Sequence, residues 1–283
     1  MKNNPFVFFI FGAAVFMFFG CTSNPFGDDK ISEEKRQISG VVQLGDQASP
    51  KDVHVWMAGV NIATRTNDQG EFQLTLPPRG SQGTPGGVSG FYNLYSFMAN
   101  YRLDSAQTVI QNGAFVYERG DINKDGKVAS SRILRKFLRI STAVSPSSVP
   151  QRFAGRIGVT VTLEATIDSC TVIFPNSLGD LLGAVIFRRV GTEDISLFQT
   201  TPGIDVRDIE LIGRVPKSRT TIFNLVQVPL SPGQYEAIPF LLIRHERLPK
   251  DLLPSLGANV EALGPDYVKL PLRREGGLFE VTP

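Results

Sequence analysis

Short runs that alternate apolar and polar residues fill most of the chain beyond Gln37. "QISGVVQL", "DVHVWMAG", "VNIATRT" and "EFQLTLP" each sort their side chains onto two faces of an extended backbone, with β-branched residues prominent. Turn formers separate them: "GDQASPK", "AG" and "NDQG". Asn67-Asp68-Gln69-Gly70 fits a hairpin in which Asp68 and Gly70 are structural turn residues and Gly70 supplies a positive φ. Two further runs flank Asn112-Gly113 in "SAQTVIQNGAFVYERG". Past residue 152, "IGVTVTLEATI", "CTVIFP", "GAVIFRRV", "TTIFNLVQVPL" and "QYEAIPFLLIRHE" read the same way, with a Pro-Gly turn in "SPGQY". Only "PKDLLPSLG" suggests a helical turn there.

The pattern predicts an all-β protein of two β-sandwich domains, over residues 37–120 and 152–283. The second is compatible with an immunoglobulin-like sandwich. Residues 121–151 between them hold a turn or calcium-like loop, a short helix and a linker. Ser130 or Ser131 is placed to cap a helix through "RILRKFLRI", with Ile133, Leu134, Phe137 and Leu138 on one face and Arg135, Lys136 and Arg139 on the other. A basic amphipathic stretch can meet a lipid surface; packing on its own domain is the expectation here. The Ser- and Pro-rich "STAVSPSSVPQ" marks the boundary.

The first residues follow another rule. "MKNN" is basic and "PFVFFIFGAAVFMFFG" carries no charge, but it is shorter than the roughly 20 apolar residues a spanning helix needs. Residues 1–20 therefore read as an export signal and 21–36 as a polar tether. "FFGC", with Gly20 before Cys21, resembles the lipobox of bacterial lipoproteins, although Phe18 and Phe19 stand where that family has Leu and a small residue. The resemblance implies an acylated, palmitate-type anchor on Cys21. Thr22, rather than Asp, then implies the outer membrane, on its periplasmic side or at the cell surface. Two or more acyl chains make such anchoring stable.

"ISGVV", "VWMAGVNIATRTNDQGEFQLTLPP" and "YNLYSFMANYR" together resemble the carboxypeptidase regulatory-like domain, over residues 37–110. Thr66, Asp68, Gly70 and Phe72 match its hairpin and Tyr101 its bend, where Asn100 replaces the family Gly. The resemblance implies a transthyretin-like sandwich with structural hairpin residues, and it brings no catalytic residue. The long "PRGSQGTPGGVSGF" departs from it; lacking a Lys and a following helix, it reads as a mobile surface loop rather than a phosphate cradle.

Composition narrows the chemistry. A net charge of +2 without runs of like charge gives no case for nucleic acid. With 2 cysteines and Cys21 lipidated, Cys170 has no partner and reads as a small buried hydrophobe. His54 and His245 are the only histidines, and no metalloprotease, Cys-x-x-Cys or Gly-x-Ser-x-Gly motif occurs. "GDINKDGKV" is the one stretch patterned for chemistry. Asp121, Asn123 and Asp125 alternate before Gly126, and Lys127 offers a backbone carbonyl, as in a calcium loop; with the following segment it resembles half a dockerin repeat. The closing acid is absent, since the twelfth position is Arg132. A metal-free hairpin explains the same letters. Two function classes follow. One is a lipid-anchored, non-catalytic binding or assembly module with a protein or glycan partner. The other is a cell-surface hydrolase of glycan or protein, or its accessory subunit, using paired carboxylates that spacing alone does not locate.

Overall fold

Strand alternation carries the architecture from Gln37 to the C-terminal end. A computed structural model of the chain describes residues 35–203 and 206–283; the signal segment, Cys21 and nearly all of the tether lie outside them. The first part contributes β1 (Gln37–Leu44), β2 (His54–Met57), β3 (Ile62–Arg65), β4 (Glu71–Thr75), β5 (Gly90–Phe97), β6 (Asp104–Gln111), β7 (Ala114–Phe115) and β8 (Arg132–Leu134). They make two sheets, β4-β1-β8 and β3-β2-β5-β6-β7. Ile38, Val42, Phe72 and Leu134 from one sheet pack against Val55, Met57, Leu94 and Ile110 from the other. That is a β-sandwich; the outer faces of β1, β4 and β6 are left largely to solvent, whereas β2 is buried on both faces.

The second part contributes β9 (Leu138–Ser145), β10 (Ser148–Pro150), β11 (Ile157–Ala165), β12 (Cys170–Pro175), β13 (Ala184–Arg189), β14 (Ile195–Gln199), β15 (Arg207–Ile212), β16 (Lys217–Phe223), β17 (Gly233–Pro239), β18 (Leu242–Ile243), β19 (Glu275–Gly276) and β20 (Leu278–Thr282). Their sheets are β16-β11-β9-β19, β10-β20-β17-β13-β14 and β15-β12-β18. β11 alternates buried and half-buried residues along its whole length, and its Val159, Val161 and Leu163 meet Phe187, Phe223 and Phe279 in an aromatic core. Among the described residues the only helical pieces are three short 3-10 turns, one of them Pro254–Leu256 within the expected "PKDLLPSLG".

Two segments differ from expectation. "RILRKFLRI" is no helix: it forms β8 and the start of β9. Leu134 belongs to the first core and Leu138 to the second, while Ile133 is 57% exposed. A helix would have put these residues on one side, and the chain instead hands them to two cores. "STAVSPSSVPQ" likewise carries the end of β9, a turn and β10, because Ser141 to Ser145 pair with β11 from Thr162 to Gly158. The "PRGSQGTPGGVSGF" loop is held at Gln82, whose side chain donates to the carbonyls of Pro77 and Gly113 and accepts from the Val88 amide.

Residues Lys35–Pro283 form one compact unit, and its two cores share a wall. Along β2 and the end of β5, Val55, Met57 and Met98 enter the first core, whereas Trp56, Phe97 and Ala99 enter the second. Asn100, fully buried, follows at once. Its Nδ2 donates to the carbonyls of Leu138 (3.0 Å) and Arg273 (2.9 Å), and its Oδ1 accepts from the Arg273 amide at 3.0 Å. Its own carbonyl accepts from the Phe137 and Leu138 amides. Next comes Tyr101, buried in the first core, whose hydroxyl donates to Asp46. Lys136 sits 2.6 Å from the same carboxylate. Burial alone would raise the Asp46 pKa, but the hydrogen bonds from Lys136 and Tyr101 outweigh it and hold the carboxyl below its usual range.

Asn100→Ala strips partners from three buried backbone groups, so it is expected to cost about 3 kcal/mol, read as a drop in urea midpoint at constant slope. A loss below about 0.5 kcal/mol would show that the joint does not depend on this side chain.

Candidate functional site

The Asp121–Lys127 loop lies between β7 and β8, closed by an isolated bridge between Ile122 and Val128. Asn123 Oδ1 accepts from the amides of Asp125 (3.0 Å) and Lys127 (2.9 Å). The Asn123 amide donates to the Lys127 carbonyl at 2.8 Å, and the Gly126 amide to the Asn123 carbonyl at 3.2 Å. Gly126 has φ of +73°, and a Cβ there would lie 2.7 Å from the Tyr117 hydroxyl. The hairpin at Asn67–Glu71 repeats this set. Asn67 Oδ1 accepts from Gln69 (3.0 Å) and Glu71 (2.9 Å). The Asn67 amide donates to the Glu71 carbonyl and the Gly70 amide to the Asn67 carbonyl, each at 3.0 Å. Gly70 has φ of +80°, and a Cβ would fall 2.0 Å from the Val42 carbonyl oxygen. The turn is therefore an Asn-x-x-Gly device used twice. Asp68 reaches instead to Lys51, at 3.1 Å on an open surface where such a pair contributes little.

A calcium cage needs the same oxygens free. Asp121 Oδ2 accepts from the Gln107 amide (2.7 Å) and from Arg132 Nη2 (3.0 Å). Arg132, with Asp104 also 3.7 Å from its Nε, supplies the positive charge that a cation would. The Lys127 carbonyl and the Asn123 side chain are committed to the turn, which leaves Asp125 exposed. These residues do not fit a calcium cage, and among the described residues no cluster of three or more His, Cys, Asp or Glu offers another.

The one described cysteine and the two histidines are placed against use as nucleophile or base. A cavity of about 600 Å³ opens between the β5–β6 turn, the β11–β12 turn and residues 244–248, and both Cys170 and His245 line it. Burial pushes the Cys170 thiol up to about 11 and the His245 imidazole down to about 4, so both are neutral at pH 7. An activated pair requires the opposite shifts. His245 packs edge-on against Phe97 and Phe137, an arrangement of the core. The cavity rim carries Arg102, Arg244 and Arg247 with Asp168 and Glu246, groups able to bind a polar partner. His54 is buried and likewise held down to about 4, first by desolvation and then by Arg65. Its Nε2 is 2.9 Å from Ser255 Oγ, but that hydroxyl donates to the Leu252 carbonyl at 2.6 Å, which directs its proton away from the imidazole.

What faces outward is unusual in β15. Ile209 and Leu211 are 55% and 61% exposed, while the alternating Asp208 and Glu210 turn toward Arg219. Arg219 is buried, stacks over Phe174 at 4.1 Å, donates to Glu210 at 3.0 Å, and contacts Asp208 and Ser177. Burial opposes ionisation of Glu210, but hydrogen bonds from Lys217 and Arg219 prevail and lower its pKa. The ion cluster fixes the register, since a slip of one residue would bury the isoleucine and leucine and expel the carboxylates. β15 is also the edge of its sheet. No single-sequence signal distinguishes this strand from an ordinary one; "RDIELI" alternates correctly, and only the facing arginine decides which half turns inward.

No family model and no curated protein matches the sequence. Among solved structures, the chain is similar to the major pilin subunit of Bacillus cereus at 13% identity and TM-score 0.23, covering 71% of this chain and 62% of that one. It is similar to a streptococcal ancillary pilin at 10% identity and TM-score 0.25, covering 76% and 60%. A third is the Bacillus anthracis TIE protein, at 10% identity and TM-score 0.23, covering 76% and 48%. The chain thus spans less than two thirds of the length of each. At such scores the likeness carries no argument about partner or activity.

Millimolar calcium is expected to leave the melting temperature unchanged. Asp125→Ala should be silent within about 0.5 kcal/mol, and Asn123→Ala should cost about 1–2 kcal/mol through its two lost amide contacts. A calcium-dependent rise in melting temperature that Asp125→Ala removes would overturn the turn assignment. A pH effect follows from the two histidines. Unfolded imidazoles take up protons near 6.5 and the folded ones only near 4, so between these values the unfolded state binds more protons and stability falls on acidification. Urea midpoints should be flat above about pH 7 and decline below it, less steeply in His245→Phe; an identical decline in that variant and in His54→Gln would exclude the imidazoles as its cause.

Proposed function

We propose that the protein is a lipid-anchored module of the bacterial cell envelope that binds or assembles with another protein and performs no chemistry of its own. The observation that carries this reading is β15. Inward charges are a known device for protecting a sheet edge, but here the same device turns Ile209 and Leu211 to solvent, on an edge strand of its sheet. An exposed edge with alternating apolar side chains suits an added strand, with main-chain hydrogen bonds for affinity and pockets for the side chains. The neutral, packed state of Cys170, His54 and His245 supports the non-catalytic half. Anchoring rests on the lipobox-like "FFGC" and on the polar segment after it, which would hold the folded unit away from the bilayer.

A photo-crosslinking residue at position 211, expressed in the native envelope, should trap a discrete protein partner, and Leu211→Asp should abolish that adduct without lowering the melting temperature. Absence of any adduct, or retention of a glycan ligand by Leu211→Asp, would refute the β15 assignment. For the anchor, mass spectrometry of the mature N-terminus should show acylated Cys21, and Cys21→Ala should move the protein to the soluble fraction. An unmodified N-terminus in wild type would refute it.

A further inference from the structure

Behind the Asn100 joint, Leu270–Arg274 closes over a second cavity of about 180 Å³, room for about six waters. Arg65, Arg188, Arg273 and Arg274 line it, against two carboxylates, Asp52 and Glu236. The arginines are not used up by those acids. Arg65 donates to the carbonyls of Lys269 (2.5 Å) and Asp52 (3.5 Å), and Arg273 donates to the carbonyl of Lys51, acceptors without formal charge. Glu236 accepts from Arg188 at 2.5 Å and lies 3.8 Å from Arg274, so one carboxylate faces two guanidinium groups. Three guanidinium nitrogens are buried with no hydrogen-bond partner: Nε of Arg273, and Nε and Nη1 of Arg274.

That combination is costly as it stands. A buried N–H without an acceptor carries its full desolvation penalty, and a buried charge without a counter-charge carries more. Water could accept the hydrogen bonds but would leave the excess positive charge in place. A small anion answers both needs. Each unpartnered N–H can donate to one oxygen of such an ion, and the ion's charge offsets the surplus of guanidinium groups. We infer that this cavity is a binding site for a tetrahedral oxyanion, a phosphate or sulfate group, held by Arg273 and Arg274. Arg188 stays with Glu236, which shields that carboxylate from the anion, and Arg65 closes the outer side. The ligand would stand between β3 of the first sandwich and β13 and β17 of the second part, adding to the packing, the Asn100 bonds and the Arg65–Lys269, Arg273–Lys51 and His54–Ser255 contacts that already join them. The site is independent of β15 and of the anchor.

The test uses the full chain with inorganic phosphate, inorganic sulfate, chloride and acetate at matched ionic strength, read by thermal shift and by titration calorimetry. Phosphate and sulfate should raise the melting temperature saturably while chloride and acetate do not. Arg274→Gln should weaken phosphate binding by more than about tenfold. Arg274 is only 11% exposed and its variant could fail to fold; Arg273→Gln is the second variant and should weaken phosphate binding while the ligand-free protein still unfolds in one cooperative transition. Glycerol phosphate, compared with free phosphate, tells a substituted ligand from the bare ion: equal affinity assigns the site to the phosphate group alone, and tighter binding assigns it to a phosphorylated compound. A shift that follows ionic strength whatever the anion, or one that both arginine variants retain, would overturn the inference and leave a water-filled cavity.

Discussion

Asn100 is the point on which the two cores depend. Four successive residues before and at the bend, Phe97, Met98, Ala99 and Asn100, send side chains alternately to opposite sides, and the third step would leave backbone groups of Leu138 and Arg273 buried without partners. A carboxamide meets that need because it carries donors and an acceptor on one planar group and no charge to desolvate. The resemblance to regulatory-like domains implies a glycine at this bend, which has no side chain to make these bonds. In this chain the bend is an interior position, and the side chain does the joining.

The strands were legible because each keeps one face dry, and a period of two survives in a single sequence. β1, β4, β6 and β11 show it directly in their burial patterns. The segment from Arg132 to Ile140 was misleading for a related reason. Its apolar residues at 133, 134, 137 and 138 fit a helical stripe, but Leu134 and Leu138 are destined for different cores. Periodicity reports how many faces a segment has and is silent about whether two residues on one face share a neighbour. The loop at Asp121–Lys127 was ambiguous until its hydrogen bonds were known. Even so, the sequence held a usable signal in the recurrence of Asn-x-x-Gly at 67–70 and 123–126, where the side-chain acceptor is the asparagine and the acids are bystanders.

Arginine placement was not legible at all. Arg219, Arg273 and Arg274 lie in strands or connections whose local pattern treats them as surface residues, and each is drawn in by groups distant along the chain. Long-range charge pairing leaves no periodic trace. It also makes opposite demands in the two places: around Arg219 the carboxylates equal or exceed the cation, and around Arg274 the cations exceed the acids.

The register of β15 has a consequence for how this surface can change over generations. Asp208-Ile209 and Glu210-Leu211 are neighbouring pairs of opposite character, and Arg219 decides which member of each faces solvent. Exchanging the letters within both pairs would leave composition, length and predicted strand untouched, yet it would strand Arg219 against two aliphatic side chains. Loss of Arg219 would do the converse, freeing the strand to shift and hide its greasy row. The exposure of Ile209 and Leu211 is therefore set by a single buried side chain on a strand of another sheet, and one replacement there is enough to change which face β15 shows to solvent.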